Sequence, residues 1–207
     1  MNQKFQKSLQ KPKKEGASKS EMCKKSVLLY LHDFVVWLTG ILLVLLLLFR
    51  VVVVTGPSMN QTLVHGDYLL LLNNVFYTEP KQGDIIVAAK SSFKDGDPII
   101  KRVIATEGQW VDIDFDAGVV YVNGNLMVEP YTNTPTNLYE GIDFPLMVDE
   151  GCVFVMGDNR NESKDSRSVE IGQIDKREII GKAIFLFIPG RDPATGKQYF
   201  NRIGALS

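Results

Sequence analysis

The chain has 207 residues, of which 45% are hydrophobic and 23% charged, and its formal net charge is −1. This length and apolar content are enough to bury a core, which excludes an intrinsically disordered protein. The charge is unevenly distributed, because eight lysines lie in residues 1–25 whereas acidic residues outnumber basic ones after residue 50. A basic segment in front of an acidic body is not typical of a nucleic-acid-binding protein, and we expect no nucleic-acid partner.

The N-terminal quarter of the chain has the pattern of a membrane anchor. Residues 1–26 are polar and lysine-rich, and we expect a disordered cytoplasmic tail. Residues 27–50 are almost entirely apolar, and a helix needs about 20 such residues to cross a bilayer. A buried core helix and a cleaved signal peptide are the alternatives, but the run is long and no small-x-small cleavage site follows it. Because the lysines precede the run, we expect a single-pass anchor in the cell membrane with residues 51–207 outside.

The chain offers little for disulfide or metal chemistry. Its two cysteines, Cys23 and Cys152, lie on opposite sides of the predicted membrane and cannot pair. The only histidines are His32 and His65, and no ligand spacing typical of a metal centre occurs. We therefore expect no metal site and no cofactor.

Residues 51–207 are predicted to form a β-rich domain. Short segments rich in Val and Ile alternate with Gly-Asp, Asp-Gly and Asn-Gly turn signals. Val119–Val122 and Asn125–Val128 flank Asn123-Gly124, as in a β-hairpin. Residues 129–150, with several Pro, Thr and Asn, are expected to form a long surface excursion. The predicted strands are Val51–Thr55, Tyr68–Asn73, Asp84–Ala89, Ile99–Thr106, Trp110–Asp114, Val119–Val122, Cys152–Met156 and Gly181–Ile188.

The first segment that could carry chemistry is Gly56–Leu63, which follows a run of four valines. It places Ser58 directly after Gly56-Pro57, at the predicted end of a strand. A serine in that position can occupy a fixed, exposed turn and act as a nucleophile. A plain turn residue is the alternative, since serine after Gly-Pro is common in turns.

The second segment is a strand that contains a lysine among aliphatic residues. Strand alternation puts Lys101 on the same face as Ile99 and Val103. Burial on such a face would disfavour the charged form and lower the pKa of the amine, which could then act as a general base. An edge-strand lysine that points at water is the alternative.

The third segment, Gly157–Arg167, follows the apolar strand Cys152–Met156. It alternates charges and hydroxyl groups closely, as a structured hydrogen-bond network would, although a solvated turn is also possible. None of the three segments contains a histidine, so a Ser-His-Asp triad is not expected, and His65 is interpreted as a surface residue. A Ser-Lys nucleophile–base pair remains.

In this order and behind one anchor, the three segments resemble the type I signal peptidases, especially the short Gram-positive forms. The resemblance extends from Arg50 to Pro189 and is strongest in Gly157–Arg167 and Lys101–Ile104. It implies a mainly β fold, with an antiparallel β-sheet catalytic domain behind a single transmembrane helix. It also implies a serine endopeptidase that removes signal peptides from secretory preproteins after small residues, with membrane lipid as a further partner.

The resemblance assigns roles to particular residues. Ser58 is implied to be the nucleophile, and Lys101 is implied to be the general base. The implied supporting residues are Ser163, which orients the lysine amine, the ion pairs Asp158–Arg102 and Asp165–Arg167, and Gly157, which allows close backbone approach. The implied substrate-pocket residues are Met59, Leu63 and Ile100.

The chain also departs from the family pattern. Gln61 stands where the family usually has a proline, so the turn after Ser58 lacks a fixed φ. Position 56 is Gly, where some relatives have a serine that donates to the oxyanion. A non-cleaving assembly factor for secreted or pilus proteins is therefore the main alternative function. A self-cleaving Ser-Lys repressor and a purely structural anchored domain explain fewer of these features.

Overall fold

The computed structural model describes residues 19–60, 62–91, 93 and 96–206. The predicted tail of residues 1–26 therefore lies largely outside the described residues, as does Gln61. The chain divides into two compact units between Leu45 and Leu46.

The first unit is dominated by helix α1, Lys19–Leu48. Its segment Ser26–Leu48 has 23 residues and a mean hydropathy of 2.3, which is long and apolar enough to cross a membrane. The side chains of this segment are exposed almost throughout, as in a helix whose apolar surface needs a lipid environment. The helix begins at Lys19, inside the segment expected to be disordered. The apolar run nucleates the helix, and Lys, Glu and Met have high helix propensity, so they extend it toward the N-terminus.

The second unit consists of two antiparallel sheets. The larger sheet has the strand order β1-β2-β11-β3-β4-β9-β10 with β12 paired to β11, and the smaller has the order β7-β6-β5-β8. The strands are β1 Phe49–Val53, β2 Tyr68–Asn73, β3 Ile85–Ala89, β4 Pro98–Thr106, β5 Trp110–Asp114, β6 Val119–Val122, β7 Asn125–Leu126, β8 Leu146–Met147, β9 Cys152–Met156, β10 Ile174–Asp175, β11 Ile179–Ile188 and β12 Gly204–Ala205. The expectation of a mainly β, antiparallel fold behind one apolar helix is confirmed.

Three apolar clusters fill this unit. The first packs β1 and the segment after it against β2, β3 and β11, with Met59 and Leu63 fully buried. The second lies on the opposite face of β3 and β4 and contains Ile86 and Val103. The third joins the two sheets and contains Ile104 and Phe154. Met59, next to Ser58, and Val103, two residues after Lys101, are thus core residues, which fixes the backbone on one side of each.

The predicted hairpin forms with the expected turn. Val122 pairs with Asn125, and Asn123 and Gly124 both have positive φ, at 52° and 75°. Positive φ at both turn residues is the signature of the type I′ turn, whose twist matches that of the flanking strands.

The excursion of residues 129–150 differs from its prediction. It was expected to run over the surface, yet Thr136 and Val148 are each 1% exposed. Short strand β8 adds part of it to the smaller sheet through Trp110 and Val111 of β5. The segment is therefore partly a structural layer that covers the polar loop after β9.

Candidate active site

Ser58 and Lys101 lie side by side. Ser58 follows β1 in a turn that begins at Gly56, whose φ of 88° favours glycine. Lys101 projects from β4, is 4% exposed and pairs across the strands with Ile86. Its Nζ lies 2.8 Å from Ser58 Oγ and donates a second hydrogen bond of 3.1 Å to the Ile100 carbonyl. A charged amine donates in the first contact, whereas a neutral amine can accept the serine proton there.

The polar loop after β9 holds the backbone beside the serine. The Asn159 N–H donates to the Ser58 carbonyl at 3.0 Å, and Asn159 Nδ2 donates to the Pro57 carbonyl at 3.1 Å. Gly157 also lies close to the Ser58 backbone. A Cβ on Gly157 would be 2.5 Å from Ser58 O and 2.2 Å from Ser163 Oγ. The turn that carries Ser58 is therefore pressed against this loop.

Asp158 connects three parts of the site. Its carboxylate is fully buried and accepts hydrogen bonds of 2.9 Å from both Nε and Nη2 of Arg102, the residue after Lys101. It also accepts a hydrogen bond from the Thr62 hydroxyl, four residues after Ser58. One carboxylate thus ties the lysine strand, the serine turn and the polar loop together.

A second buried ion pair closes the loop on itself. Asp165 accepts two hydrogen bonds of 2.8 Å from Arg167, and neither residue is exposed. It also accepts from the Gly157 N–H and from the Ser163 hydroxyl, each at 2.9 Å. Because this bond of Ser163 runs to Asp165, the role of Ser163 in orienting Lys101 stays a prediction. Burial, followed by the charge of Asp165, raises the pKa of the neighbouring Glu140.

Residues 129–136 contribute a layer that the sequence did not reveal. Glu129 forms an ion pair with Arg160, which is 1% exposed and also donates to Thr136 Oγ1 at 2.8 Å. The ring of Tyr131 lies over the guanidinium of Arg102, with 4.0 Å between the guanidinium carbon and the ring centroid. Burial, then the charge of Glu129, raises the pKa of this tyrosine, which stays neutral. Arg160 lies in the polar segment that drew attention in the sequence, but nothing in the sequence indicated Glu129 or Tyr131.

A cleft of about 980 Å³ opens onto the two residues. One wall is the end of β1 with the turn to Met59, and the other is the start of β4, including Ile100. Met59 and Ile100 line this cleft, and their contact with a substrate stays a prediction. Leu63 is 0% exposed in the first core cluster and is not among the residues that line this cleft.

Both walls of the cleft present strand edges. Among the described residues β1 pairs on one side only, with β2. Strand β4 pairs with β3 along its start, but its pairing with β9 begins only at Arg102. The backbone of Pro98–Lys101 therefore has a strand on one side and the cleft on the other, which suits the cleft to an extended peptide.

His65 does not join the Ser58–Lys101 pair. Its ring is exposed, and its Nδ1 accepts a long hydrogen bond of 3.4 Å from the Gly56 N–H. Cys152 is a free cysteine, and burial raises the pKa of its thiol. In the part of the chain that the structure describes, no group of three His, Cys, Asp or Glu side chains could hold a metal ion.

The sequence of the chain matches a known family of enzymes. A family model described as signal peptidase, peptidase S26, matches residues 27–188. The chain is 35% identical to signal peptidase I of Bacillus licheniformis over 83% of its own length and 94% of that protein. It is 38% identical to a probable signal peptidase I of Synechocystis, over 71% of its own length and 78% of that protein. A crystal structure of a signal peptidase I from Enterococcus faecalis matches 50% of this chain and 96% of that chain, with 31% identity and a TM-score of 0.41.

The chain belongs to the S26 family of signal peptidases. Members of this family are serine peptidases, and this chain is therefore a hydrolase of that class. Together with the family, helix α1 indicates that the protein is membrane-anchored.

Proposed function

We propose that this protein removes signal peptides from exported preproteins, with Ser58 as nucleophile and Lys101 as general base. The observation that carries the proposal is the 2.8 Å separation of Lys101 Nζ and Ser58 Oγ at the base of a peptide-sized cleft. A nucleophile and a base within hydrogen-bond reach are what acyl transfer from a peptide requires. The relatives named signal peptidase I supply the substrate class.

The reaction proceeds in two acyl transfers. Neutral Lys101 takes the Ser58 proton as Oγ attacks the scissile carbonyl, and the Ser58 N–H helps to stabilise the oxyanion. No described residue accepts a hydrogen bond from that N–H, so it is available to the intermediate. Protonated Lys101 then gives its proton to the leaving amine, which departs as the new N-terminus of the mature protein. Lys101 next takes a proton from water as the water attacks the acyl-enzyme, and returns that proton to Ser58 Oγ as the ester bond breaks. The signal peptide leaves with a free carboxyl group, and Ser58 and Lys101 regain their starting protonation states.

The substrate lies extended between the two strand edges of the cleft. Backbone hydrogen bonds to β1 and to Pro98–Lys101 hold it, independently of its side chains. Met59 and Ile100 then limit the size of the side chain before the cut, and cleavage follows small residues. Leu63 does not line the cleft and supports Met59 within the first core cluster rather than contacting the substrate.

Membrane lipid is the second partner. Exposed apolar side chains lie on β1 and β11 and in the C-terminal segment, among them Val51, Ile188 and Phe200 at 57%, 42% and 64% exposure. Apolar surface of this extent on a membrane-anchored protein suits contact with the bilayer. By the positive-inside rule, the N-terminal lysines support a topology with the tail, residues 1–26, in the cytoplasm, the anchor, residues 27–50, in the membrane and the catalytic domain, residues 51–207, outside. Protease added to intact cells should then digest the catalytic domain, and digestion of the tail alone would contradict this topology.

The decisive experiment compares the wild type with Ser58→Ala. Purified protein in lipid vesicles is incubated with a secretory preprotein, and mass spectrometry locates the cut. We expect one cut after a small residue with the wild type and none with Ser58→Ala, which should keep its melting temperature because one hydroxyl is removed. Binding of the preprotein without a cut by the wild type would instead favour the non-cleaving assembly factor.

A further inference from the structure

The C-terminal segment beyond the family match docks on the turn that follows Ser58. The family match ends at residue 188, and the chain then runs from Pro189 to β12, which pairs with β11. The Gly190 N–H donates to Asp67 Oδ1 at 2.6 Å, and a Cβ on Gly190 would lie 2.3 Å from the His65 carbonyl oxygen. This close approach fixes the segment against the chain between Ser58 and β2.

Arg202 reaches from this segment to the serine turn. Its Nη1 donates to Asp67 Oδ1 at 2.9 Å, and its Nη2 donates to Asp67 Oδ2 at 2.6 Å. The same Nη2 donates to the Thr62 carbonyl at 3.2 Å. Asp67 is 0% exposed and also accepts from the Val64 N–H at 2.8 Å. The planar guanidinium thus joins the Thr62 backbone to a buried carboxylate, a geometry that the single point charge of lysine does not reproduce.

The serine turn is then held from two sides. The polar loop bonds the Ser58 carbonyl through Asn159 and the Thr62 hydroxyl through Asp158. Arg202 holds the Thr62 carbonyl from the other side.

We propose that Arg202 is a positioning residue that keeps the turn in the conformation where Ser58 Oγ meets Lys101. The proposal rests on the proposed function. Arg202 touches neither member of the pair in the described structure, so its effect passes through Thr62. Without it, the turn samples other conformations and fewer molecules carry a competent pair. The turnover number should fall much more than the Michaelis constant changes, because the backbone hydrogen bonds that hold the substrate come from β1 and β4, with which Arg202 forms no hydrogen bond among the described residues.

The test uses the full-length protein in lipid vesicles with a peptide that spans a signal-peptide cleavage site. Variants Arg202→Met and Arg202→Lys are compared with Arg191→Met. Arg191 is a matched control because it is exposed in the same segment and its side chain donates to the nearby Gly196 carbonyl. Rates are measured well below the melting temperature of every variant. We expect kcat of Arg202→Met to fall at least about tenfold with KM within about twofold. Arg191→Met should behave as the wild type.

Arg202→Lys separates positioning from simple stability. Lysine keeps the charge beside Asp67, so the melting temperature should return close to the wild-type value. The turnover number should stay low, because lysine cannot bond the Asp67 carboxylate and the Thr62 carbonyl with the geometry of a guanidinium. If kcat recovers together with the melting temperature, Arg202 is only a structural ion-pair partner and the proposal is overturned. It is also overturned if Arg191→Met loses kcat equally. If Arg202→Met does not fold, the comparison of Arg202→Lys with the wild type carries the test. A wild-type protein that cuts no peptide would overturn the proposed function, and this inference with it.

Discussion

Burial of Lys101 costs stability but favours the neutral amine that its proposed role as general base requires. Lys101 is 4% exposed, and burial among apolar side chains disfavours the charged form of an amine. Lys101→Met removes a buried polar group at similar chain length, so we expect complete loss of cleavage with a melting temperature at or above that of the wild type. Lys101→Arg should also be inactive, because arginine does not give up its proton. Cleavage assays and thermal unfolding of both variants check this expectation, and an active Lys101→Arg would redirect attention to His65.

Gly157 lies where a side chain would collide with the backbone of Ser58, the proposed nucleophile. A Cβ at this position would lie 2.2 Å from Ser163 Oγ and 2.5 Å from Ser58 O. We therefore expect Gly157→Ala to lower the free energy of unfolding by about 1–3 kcal/mol and to displace Ser58, with a loss of kcat. Gly204→Ala is the control, since a Cβ there meets nothing within 4 Å. Chemical denaturation measures the free energy of unfolding, and cleavage kinetics measure kcat. Equal values for Gly157→Ala and Gly204→Ala would contradict the proposed steric role of Gly157.

At the scale of elements, the loop after β9 is stabilised by charge rather than by regular structure. Asp158 and Arg102 are almost completely buried, so removal of one partner leaves an uncompensated charge. We expect Asp158→Ala to lower the free energy of unfolding by about 3–5 kcal/mol and to reduce activity. Lys164→Ala removes a half-exposed partner of Glu170 in the same loop and should leave the melting temperature unchanged. Equal effects in the two variants would mean that the Asp158 pair is solvated in the folded protein.

The sequence predicted those elements that carry their own signal. Strands β2, β5, β6 and β9 begin and end where predicted, because Val- or Leu-rich runs are bounded by turn residues. The two-residue strands β10 and β12 are too short to show an alternation of apolar and polar residues. They are strands only because they pair with β9 and β11.

The candidate site likewise contains residues that the sequence indicates and residues that it does not. Ser58, Lys101 and the polar loop stand out in the sequence by residue type, and the structure brings them together. Glu129 and Tyr131 contact arginines about 30 residues away through a segment without a pattern, and Arg202 acts on a turn 140 residues earlier. Contacts of this kind depend on tertiary packing, which periodicity does not encode.

At the scale of the whole molecule, Asp84 links stability to pH. Burial alone would raise the pKa of its carboxyl, but hydrogen bonds from Lys182 and Tyr77 hold it below its usual range. A folded-state pKa below the unfolded value adds stability above about pH 4, and that stability is lost as the pH falls through the folded value. The melting temperature of Asp84→Asn should therefore lie below that of the wild type at pH 7, and the difference should narrow in acid. Asp116→Asn, at an exposed turn, is the control, and a pH-independent difference for Asp84→Asn would contradict the linkage.

The outer edge of β1 also has a consequence for crowded membranes. A strand edge whose backbone donors and acceptors are proposed to bind the substrate is equally able to pair with the same edge on another molecule. Two enzyme molecules at high density would then compete with preproteins for the same hydrogen bonds. Specific activity should accordingly decline as the enzyme is packed more densely into vesicles, and excess substrate should restore it. The feature that admits many unrelated sequences to the cleft thus also sets an upper limit on the useful concentration of the enzyme.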